Sequence, residues 1–459
     1  AAGLGPRLMA SNKEILEAQR YNRRRLVTAF MSGTPGGREL EPRSLGRPLV
    51  AGLVIAAVLA LVGVVMGRFA PVLPSGWQND TLVIVKGSGA RFFSIDGTLR
   101  PVANVTSARL LADPSSFQTA EVDASALDGI PRGAEVGIPE APDLVPPREL
   151  LRSGQWTACA TKGGQTHTWV AEDPAGLDVG ATAVVSSEGE TYLIADGRRH
   201  RVADPGVPFA LGLESATVHP VDAGLLNVFE RGSDFDRLQI PDAGQPATGM
   251  PARLRTAVIG SVVQVEQGAS AARYVVTGHG RITPLSEVAY SLFRIGTGAE
   301  AGNPLTATLA EISSLQVDTA SVVPADWPVT LGSALDESRR VCGRLVAGGE
   351  SVSTELASIP APAATTPGQA APTDIAGATV QGGSGALVRA TSGGTLGAFA
   401  LVTDLGRAHG LEGDPATTLG ALGYTLDDVE TVPAAWLALV PAGVSLSPEA
   451  AWQTVTVNR

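Results

Sequence analysis

The stretch Tyr192–Val202, YLIADGRRHRV, has the form of a β-hairpin, with an apolar strand, a turn that contains a glycine, and a second strand. Three other stretches share this form: Arg91–Val102, Tyr274–Leu285 and Phe399–Leu411. Their turn glycines align, each with Val or Leu five residues later: Gly97, Gly197, Gly280 and Gly406. Glycine supplies the positive φ that a tight hairpin turn requires. The sequence therefore predicts four copies of one β-rich unit.

Each hairpin follows another strand-like run, as at Leu82–Lys86, so each copy is expected to be a small β-meander followed by a short helix. The glycines lie 100, 83 and 126 residues apart, which is too uneven for a stacked solenoid. We therefore expect four separate repeat domains, with the boundaries 80–113, 181–230, 255–296 and 383–430. The remaining segments are assigned to a central β domain: 114–180, 297–356 and 431–459.

The composition supports a β-rich body of several packed units. The chain has 459 residues, of which 54 are Gly and 32 are Pro, while aromatic residues make up only 5%. Such a composition favours short strands and many turns over long helices. The length exceeds that of one ordinary domain, so a large buried core is possible.

Residues Leu49–Met66 form an apolar run of eighteen residues without a charge, LVAGLVIAAVLALVGVVM. At 1.5 Å rise per residue this run approaches the thickness of the bilayer core, so residues 49–67 are predicted to form one transmembrane helix. A cleaved signal peptide and a buried core helix are the alternatives. The first has a shorter apolar stretch behind a short basic region, and the second rarely lacks a polar face.

The charge distribution predicts the orientation of this span. Residues 1–48 hold nine Lys and Arg against four Asp and Glu, a net charge of +5, whereas the whole chain carries −11, which leaves −16 for the rest. By the positive-inside rule the N-terminus is cytoplasmic and residues 69–459 are extracytoplasmic. An acidic body argues against nucleic acid as a partner. The expected fold is thus a single transmembrane helix plus a large, elongated, β-rich α+β extracytoplasmic region.

The basic tail, residues 1–48, is predicted to contain an amphipathic helix. The segment Ser11–Glu14 has the form of a capping box, and Glu14–Met31 contains neither Gly nor Pro. We expect this helix to dock on a partner's cytoplasmic face or on lipid head groups; a solvated helix that only enforces topology is the alternative. The candidate docking residues are Arg23, Arg24, Arg25, Leu26 and Phe30.

Two further features concern the outer part. Residues 357–374, rich in Ala, Pro and Thr, are predicted to be an extended linker. Cys159 and Cys342 are the two cysteines of the chain, and on the extracytoplasmic side a disulfide between them is expected, with free buried thiols as the alternative. Two cysteines without neighbouring ligands cannot form a zinc site.

Catalytic motifs are missing from the sequence. There is no G-x-x-x-x-G-K-[ST] phosphate loop, no H-E-x-x-H pair and no G-x-S-x-G elbow, and the five histidines are dispersed. We therefore predict no catalytic residues, no metal and no cofactor. His200 and His409 occupy equivalent positions in two of the copies, which favours a structural role at that point.

Two segments of the tail, Lys13–Gln19 and Arg23–Pro42, resemble the EccB family of actinobacterial type VII (ESX) secretion systems. The similarity continues through the apolar span, the segment Gly137–Pro142, the two cysteines and the end Val432–Gly443. Within Gly137–Pro142, Glu140 stands where the family pattern has Gly.

The resemblance implies a membrane-anchored core component with a central β-rich domain and four repeat domains. It further implies assembly with EccC, EccD, EccE and a mycosin protease, with EccC as the source of energy, and self-association of the outer domain. We interpret the protein as a structural subunit of an ESX translocon. An extracytoplasmic cell-wall-binding module and an ATPase, the label that some family members carry, are the competing hypotheses.

Overall fold

The computed structural model describes residues 12–32, 46–68, 73–267, 270–318, 322–348, 351–361 and 375–455. The chain divides into two compact units, residues 1–71 and residues 72–459. Ser11, the first residue of the predicted capping box, lies outside the described residues, as do residues 362–374 of the predicted linker.

The first unit contains two helices, α1 (Asn12–Ser32) and α2 (Gly46–Arg68). α1 covers the predicted range Glu14–Met31 and carries Glu14 in its first turn, where a negative charge interacts favourably with the helix dipole. The side chains of α2 are described for residues 49–62. Within the described part of the chain, no helix meets both the length and the hydropathy needed to cross a membrane.

The second unit begins with a four-stranded sheet, sheet 1, and the helix that follows its third strand. Its elements are β1 (Thr81–Val85), β2 (Arg91–Ile95), β3 (Thr98–Pro101), α3 (Val105–Leu111) and β4 (Gln118–Val122). β1, β2 and β3 are antiparallel neighbours, and after α3 the chain returns so that β4 lies parallel to β1. The strand order is therefore β3-β2-β1-β4.

The next strands open a central sheet, which is completed much later in the chain. They are β5 (Trp156–Ala160), β6 (Thr166–Val170) and β7 (Asp178–Val179). Short 3-10 turns at Ala124–Leu127 and Arg148–Leu150 connect sheet 1 to β5.

Sheets 2 and 3 follow, and each repeats the topology of sheet 1 with one more parallel strand. The strands of sheet 2 are β8 (Ala183–Ser187), β9 (Glu190–Ala195), β10 (Arg198–Arg201), β11 (Val218–Pro220) and β12 (Glu230–Arg231). Helix α4 (Val207–Ala210) precedes β11, and helix α5 (Ala223–Asn227) precedes β12. The strands of sheet 3 are β13 (Val262–Gln267), β14 (Ser270–Gly278), β15 (Arg281–Leu285), β16 (Leu305–Thr306) and β17 (Gln316–Val317). Helix α6 (Glu287–Ile295) precedes β16, and helix α7 (Leu309–Ser313) precedes β17. The strand orders are β11-β8-β9-β10-β12 and β16-β13-β14-β15-β17.

The chain then completes the central sheet and forms sheet 4. The central strands are β18 (Arg339–Gly348), β19 (Ser351–Pro360) and β20 (Gly377–Val380), which give the order β20-β6-β5-β18-β19-β7. Sheet 4 has β21 (Ala386–Ser392), β22 (Thr395–Thr403), β23 (Arg407–Leu411), α8 (Pro415–Leu422) and β24 (Glu430–Pro433), ordered β23-β22-β21-β24. Two short helices end the described chain, α9 (Ala434–Leu437) and α10 (Pro448–Ala451).

Side-chain N-caps begin the helices that follow the third strands of sheets 1, 3 and 4. Asn104, Ser286 and Asp414 are the N-cap residues of α3, α6 and α8, and each side chain accepts a hydrogen bond from a backbone N–H of the first turn, at 2.8, 3.1 and 2.9 Å. These caps satisfy donors that the helix itself leaves free.

Three hydrophobic cores join the sheets in series. Leu82 and Phe93 of sheet 1 share a core with Leu387 and Leu401 of sheet 4. A second core, with Trp156 at its centre, combines residues of sheet 4, the central sheet and sheet 2. A third core joins sheet 2 to sheet 3. The packing order is sheet 1, sheet 4, central sheet, sheet 2, sheet 3, in which sheets 2 and 4 flank the centre.

Several predicted boundaries differ from the structure. β4 and β16 lie beyond the boundaries 80–113 and 255–296, in segments that were assigned to the central domain, because each pairs with the first strand of its own sheet only after a helix. The central-domain segment 431–459 also includes part of a repeat sheet, because β24 pairs with β21 of sheet 4. The predicted linker 357–374 begins too early, since β19 extends to Pro360 and Ile359 is buried.

Candidate functional site

Sheets 2 and 4, which flank the central sheet, contact it through their turn glycines, Gly197 and Gly406. All four glycines have positive φ: 71° at Gly97, 72° at Gly197, 64° at Gly280 and 69° at Gly406. A Cβ on Gly197 would collide with the carbonyl oxygen of Thr354 in β19, and a Cβ on Gly406 would collide with that of Ala378 in β20. A Cβ on Gly97 would meet no atom within 4 Å, and one on Gly280 only the Gly249 carbonyl oxygen at 3.5 Å. Of the four turn glycines, Gly197 and Gly406 are therefore the two that lie directly against the backbone of the central sheet.

Thr354 is the residue where three parts of the molecule meet. Its Oγ1 donates to the carbonyl oxygen of Val228, just after α5, at 2.7 Å. The same oxygen accepts from Nε1 of Trp436 in α9 at 3.0 Å. Trp436 is fully buried. One hydroxyl thus links sheet 2, the central sheet and the segment after sheet 4.

The two cysteines lie directly opposite each other in the central sheet. Cys159 of β5 and Cys342 of β18 are antiparallel Cα partners, 4.0 Å apart, and their sulfurs form a disulfide. Both are buried, in a small core with Trp169, Ala357 and Ile359. The bond therefore joins two strands that are separated by 183 positions in sequence.

The two equivalent histidines are both buried and make the same kind of backbone hydrogen bond. His200 in β10 and His409 in β23 are 0% and 1% exposed, and Nδ1 of each donates to a backbone carbonyl, that of Ser233 at 2.8 Å or Val444 at 2.9 Å. Nε2 of each has no hydrogen-bond partner among the described residues. Burial lowers the pKa of both imidazoles.

A glycine lies against each of these rings. A Cβ on Gly232 would collide with the His200 ring, and one on Gly443 with the His409 ring. The corresponding positions in sheets 1 and 3 hold Arg100 and Thr283, three residues after the turn glycine. Neither ring-packing glycine is predicted by the sequence pattern, although Gly232 lies 32 residues after His200 and Gly443 lies 34 residues after His409.

The candidate docking residues lie on α1, and none of them is a member of a hydrophobic core among the described residues. Phe30 is 91% exposed and Leu26 is 63% exposed, and the described side chains of Arg23, Arg24 and Arg25 are exposed as well. Met31 is 86% exposed. The helix thus presents large apolar side chains and three adjacent guanidinium groups to its surroundings.

The remaining histidines make ordinary local contacts. His167 contacts the Ile375 carbonyl and the Thr379 hydroxyl, His219 contacts the Leu335 carbonyl, and His279 accepts from Thr248 N–H. Within the described ranges, no group of three or more His, Cys, Asp or Glu side chains is placed to hold a metal ion.

A family model described as "Type VII secretion system ESX-1, transport TM domain B" matches residues 8–457. Among curated relatives, the "ESX-3 secretion system ATPase EccB3" of Mycobacterium tuberculosis strain H37Rv is 30% identical over 247 residues, which cover 49% of this chain and 45% of the relative. The "ESX-5 secretion system ATPase EccB5" of Mycobacterium marinum is 30% identical over 247 residues, or 48% of each chain. The chain spans about half the length of the curated relatives it matches.

Solved structures share the fold. A chain from the structure of an intact ESX-5 inner membrane complex matches with a TM-score of 0.66 and 23% identity, covering 100% of this chain and 97% of that one. A chain from the structure of an EccB3 dimer from the ESX-3 core complex matches with a TM-score of 0.65 and 23% identity, covering 81% and 99%. The sheet-rich α+β architecture is therefore common to this chain and those proteins.

Proposed function

Because this chain belongs to the EccB family of type VII (ESX) secretion proteins, we propose that it is a structural assembly subunit of an ESX secretion complex in the cytoplasmic membrane. The observation that carries the proposal is the serial packing of five sheets through three continuous cores. Interfaces of buried apolar residues resist relative movement of the sheets, which suits a protein whose task is to hold other subunits in place.

The anchor in this proposal is α2. It is 23 residues long, about 35 Å at the helical rise, and contains the uncharged run Leu49–Met66. Basic residues before the run, including Arg43 and Arg47, support a single pass with a cytoplasmic N-terminus and a periplasmic body.

Sheets 1 to 4, each with its helix, are proposed to be four repeat domains around a central domain built on the disulfide-bonded sheet. The shared strand order supports this assignment, because in each sheet a fourth strand lies parallel to the first.

The proposed partners are the cytoplasmic ATPase EccC, the membrane components EccD and EccE, a mycosin-like protease, membrane lipid and a second copy of this chain. A related protein was solved as a dimer, which supports self-association. Because the sequence contains no phosphate loop, we assign nucleotide hydrolysis to a partner. On the cytoplasmic side, α1 supplies the docking surface through Arg23, Arg24, Arg25, Leu26 and Phe30.

A native-gel experiment tests the proposal. Membranes that contain the tagged full chain are solubilised gently and separated on a native gel, and the co-migrating proteins are identified. A species on the order of a megadalton that contains an ATPase and a many-span protein is expected for a scaffold of this kind. A monomer or dimer that retains only cell-wall fragments would reject the assembly function.

Deletion of residues 10–31 tests the docking helix separately. The proposal expects complete membrane insertion with loss of the large species. Replacing Thr28, on the same helix, by Ala is the matched control and leaves the large species intact. An unchanged complex after the deletion would exclude docking by α1.

A further inference from the structure

A cavity of about 250 Å³ lies between the edge of sheet 2 and α5. Three arginines line it, Arg199 and Arg201 from β10 and Arg231 from β12, together with the polar side chains of Ser187, Tyr192 and Asn227. The assembly function proposed above does not use this cavity.

Strand register places the arginines on one face. Arg199 and Arg231 are Cα partners in the parallel pair β10–β12, so their side chains leave neighbouring strands on the same side, and Arg201 lies two residues beyond Arg199. Like charges opposite each other in a sheet are destabilising. A neighbouring negative charge would offset the repulsion between Arg199 and Arg231.

Only one of the three charges is compensated by carboxylates. Arg201 binds Asp234 at 2.8 Å and Glu190 at 3.6 Å. Arg199 donates to Asn227 Oδ1, a neutral oxygen, and within the described residues neither Arg199 nor Arg231 has a carboxylate at ion-pair distance. Burial, and to a smaller extent the charge of Arg231, lower the pKa of Arg199.

The other three sheets show that the fold does not need this charge. The position two residues after the turn glycine is Arg199 in sheet 2, but Leu99, Ile282 and Ala408 in sheets 1, 3 and 4. Leu99 and Ile282 are fully buried. An apolar side chain therefore fills the site in the copies, whereas sheet 2 has a half-buried guanidinium beside a cavity.

A second observation points to a ligand. Ser187, the last residue of β8, is 5% exposed, lines the cavity, and its Oγ has no hydrogen-bond partner among the described residues. A buried hydroxyl without a partner carries a desolvation penalty, so a ligand that accepts its hydrogen bond would be stabilising.

We propose that this cavity of sheet 2 binds a phosphate group through Arg199, Arg231 and Ser187. Two uncompensated guanidinium groups match a dianion better than a carboxylate, which neutralises only one of them. The volume is below that of pockets that enclose drug-sized ligands, so one phosphate group with its ester substituent is the expected occupant. Glu188 also lines the cavity and is exposed, and its carboxylate repels a bound anion, which makes the binding weaker than the arginines alone would give.

Calorimetry on the detergent-solubilised full chain tests the site. The probes are inorganic phosphate, soluble dihexanoyl phosphatidic acid and acetate. We expect one molecule of a phosphate-containing probe to bind per chain. Acetate is expected to bind at least about ten-fold more weakly, because it cannot form charge-assisted pairs with both arginines as a dianion can. A lipid that binds more than about ten-fold tighter than free phosphate identifies a headgroup as the source, while equal affinities identify the free ion.

The matched variants are Arg199→Leu, the residue that sheet 1 carries, and Arg198→Gln on the neighbouring position, which pairs with Glu230 instead. Arg199→Leu is expected to weaken phosphate binding about 10- to 100-fold, and Ser187→Ala about 3- to 10-fold. Arg198→Gln leaves it unchanged, and Glu188→Gln strengthens it. Equal thermal midpoints without ligand establish that the variants fold.

Three results overturn the proposal. They are the absence of binding at phosphate concentrations on the order of 10 mM, acetate binding as tight as phosphate, or a folded Arg199→Leu variant with undiminished affinity. None of these results bears on assembly of the secretion complex, because the native gel measures the size of the complex and not its affinity for phosphate.

Discussion

Trp436 and Val228 are joined through a single hydroxyl, that of Thr354, which accepts from the indole Nε1 at 3.0 Å and donates to the Val228 carbonyl at 2.7 Å. The indole is fully buried and Val228 is 5% exposed, so water cannot readily replace this hydroxyl. Thr354 therefore adds one shared polar contact to the hydrophobic core that joins sheet 2, the central sheet and α9.

Replacing Thr354 by Val keeps the branched shape but removes the hydroxyl. The indole N–H and the carbonyl of Val228 then lose their partner, and we expect a loss of about 1 to 3 kcal/mol in the free energy of unfolding. Urea titration followed by tryptophan fluorescence measures it. Thr395→Val, at an exposed strand position, is the control and should change stability by less than about 0.5 kcal/mol. Equal effects of the two variants would contradict the linking role.

A matched glycine pair separates backbone strain from packing. Gly97 and Gly197 have φ of 71° and 72°, but only Gly197 lies against a carbonyl oxygen of the central sheet. Gly97→Ala is expected to cost about 1 to 2 kcal/mol from the left-handed backbone alone. Gly197→Ala should cost about 1 to 3 kcal/mol more, since the Cβ forces sheet 2 away from Thr354. Chemical denaturation of both variants gives the difference, and no difference would mean that the turn does not pack.

Removal of the disulfide is expected to destabilise the second unit. The bond closes a loop of 183 positions, for which the chain-entropy relation gives an upper value of about 5 kcal/mol. A Cys159→Ala, Cys342→Ala double variant, compared with the oxidised protein by guanidinium titration, measures this contribution. Each single variant leaves one thiol in the core and serves as the control for the lost packing. A change within about 0.5 kcal/mol would show that the reduced, unfolded chain is already compact.

The two buried histidines predict a loss of stability in weak acid. Their folded pKa values lie below the unfolded value of about 6.5, so the unfolded chain takes up protons first as the pH falls. Stability is full above about pH 6.5 and declines below it. The nearby charges are Asp326, Asp196 and Arg198 for His200, and Arg407 for His409.

Denaturant midpoints at several pH values between about 5.5 and 7.5 measure this dependence. A His200→Thr, His409→Thr double variant, which carries the residue found at this position in sheet 3, should lose most of the slope. His279→Gln is the control because that side chain is exposed. If the double variant kept the full slope, other groups would be responsible.

Glu140 has a left-handed backbone conformation that glycine adopts more readily. Its φ is 62° and its side chain is exposed. Glu140→Gly should raise the free energy of unfolding by about 1 kcal/mol by removing the left-handed penalty, and Glu140→Asn should give part of that gain. A thermal melt tests both. A lower midpoint for the Gly variant would show that the side chain makes a compensating contact.

The sequence was sufficient to predict the turns and the hairpins but not the sheets to which they belong. The four glycines could be found because a tight turn leaves a local signature of Gly between two apolar runs. β16 and β17 could not be predicted, because two-residue strands have no periodicity. The pairing of β4 with β1 could not be predicted either, because a helix separates the two strands in sequence. The shared environment of His200 and His409 depends on Gly232 and Gly443, which lie far along the chain. Such contacts are set by tertiary packing rather than by local propensity.

The order in which the sheets pack differs from the order in which they are synthesised. Leu82 and Phe93 of sheet 1 complete their core only with Leu387 and Leu401 of sheet 4, about 300 residues later. At 5 to 20 residues per second, roughly 15 to 60 s pass before that partner leaves the ribosome. During this interval the apolar face that sheet 1 buries against sheet 4 in the folded protein has no partner, so the first sheet to be synthesised is among the last to complete its core.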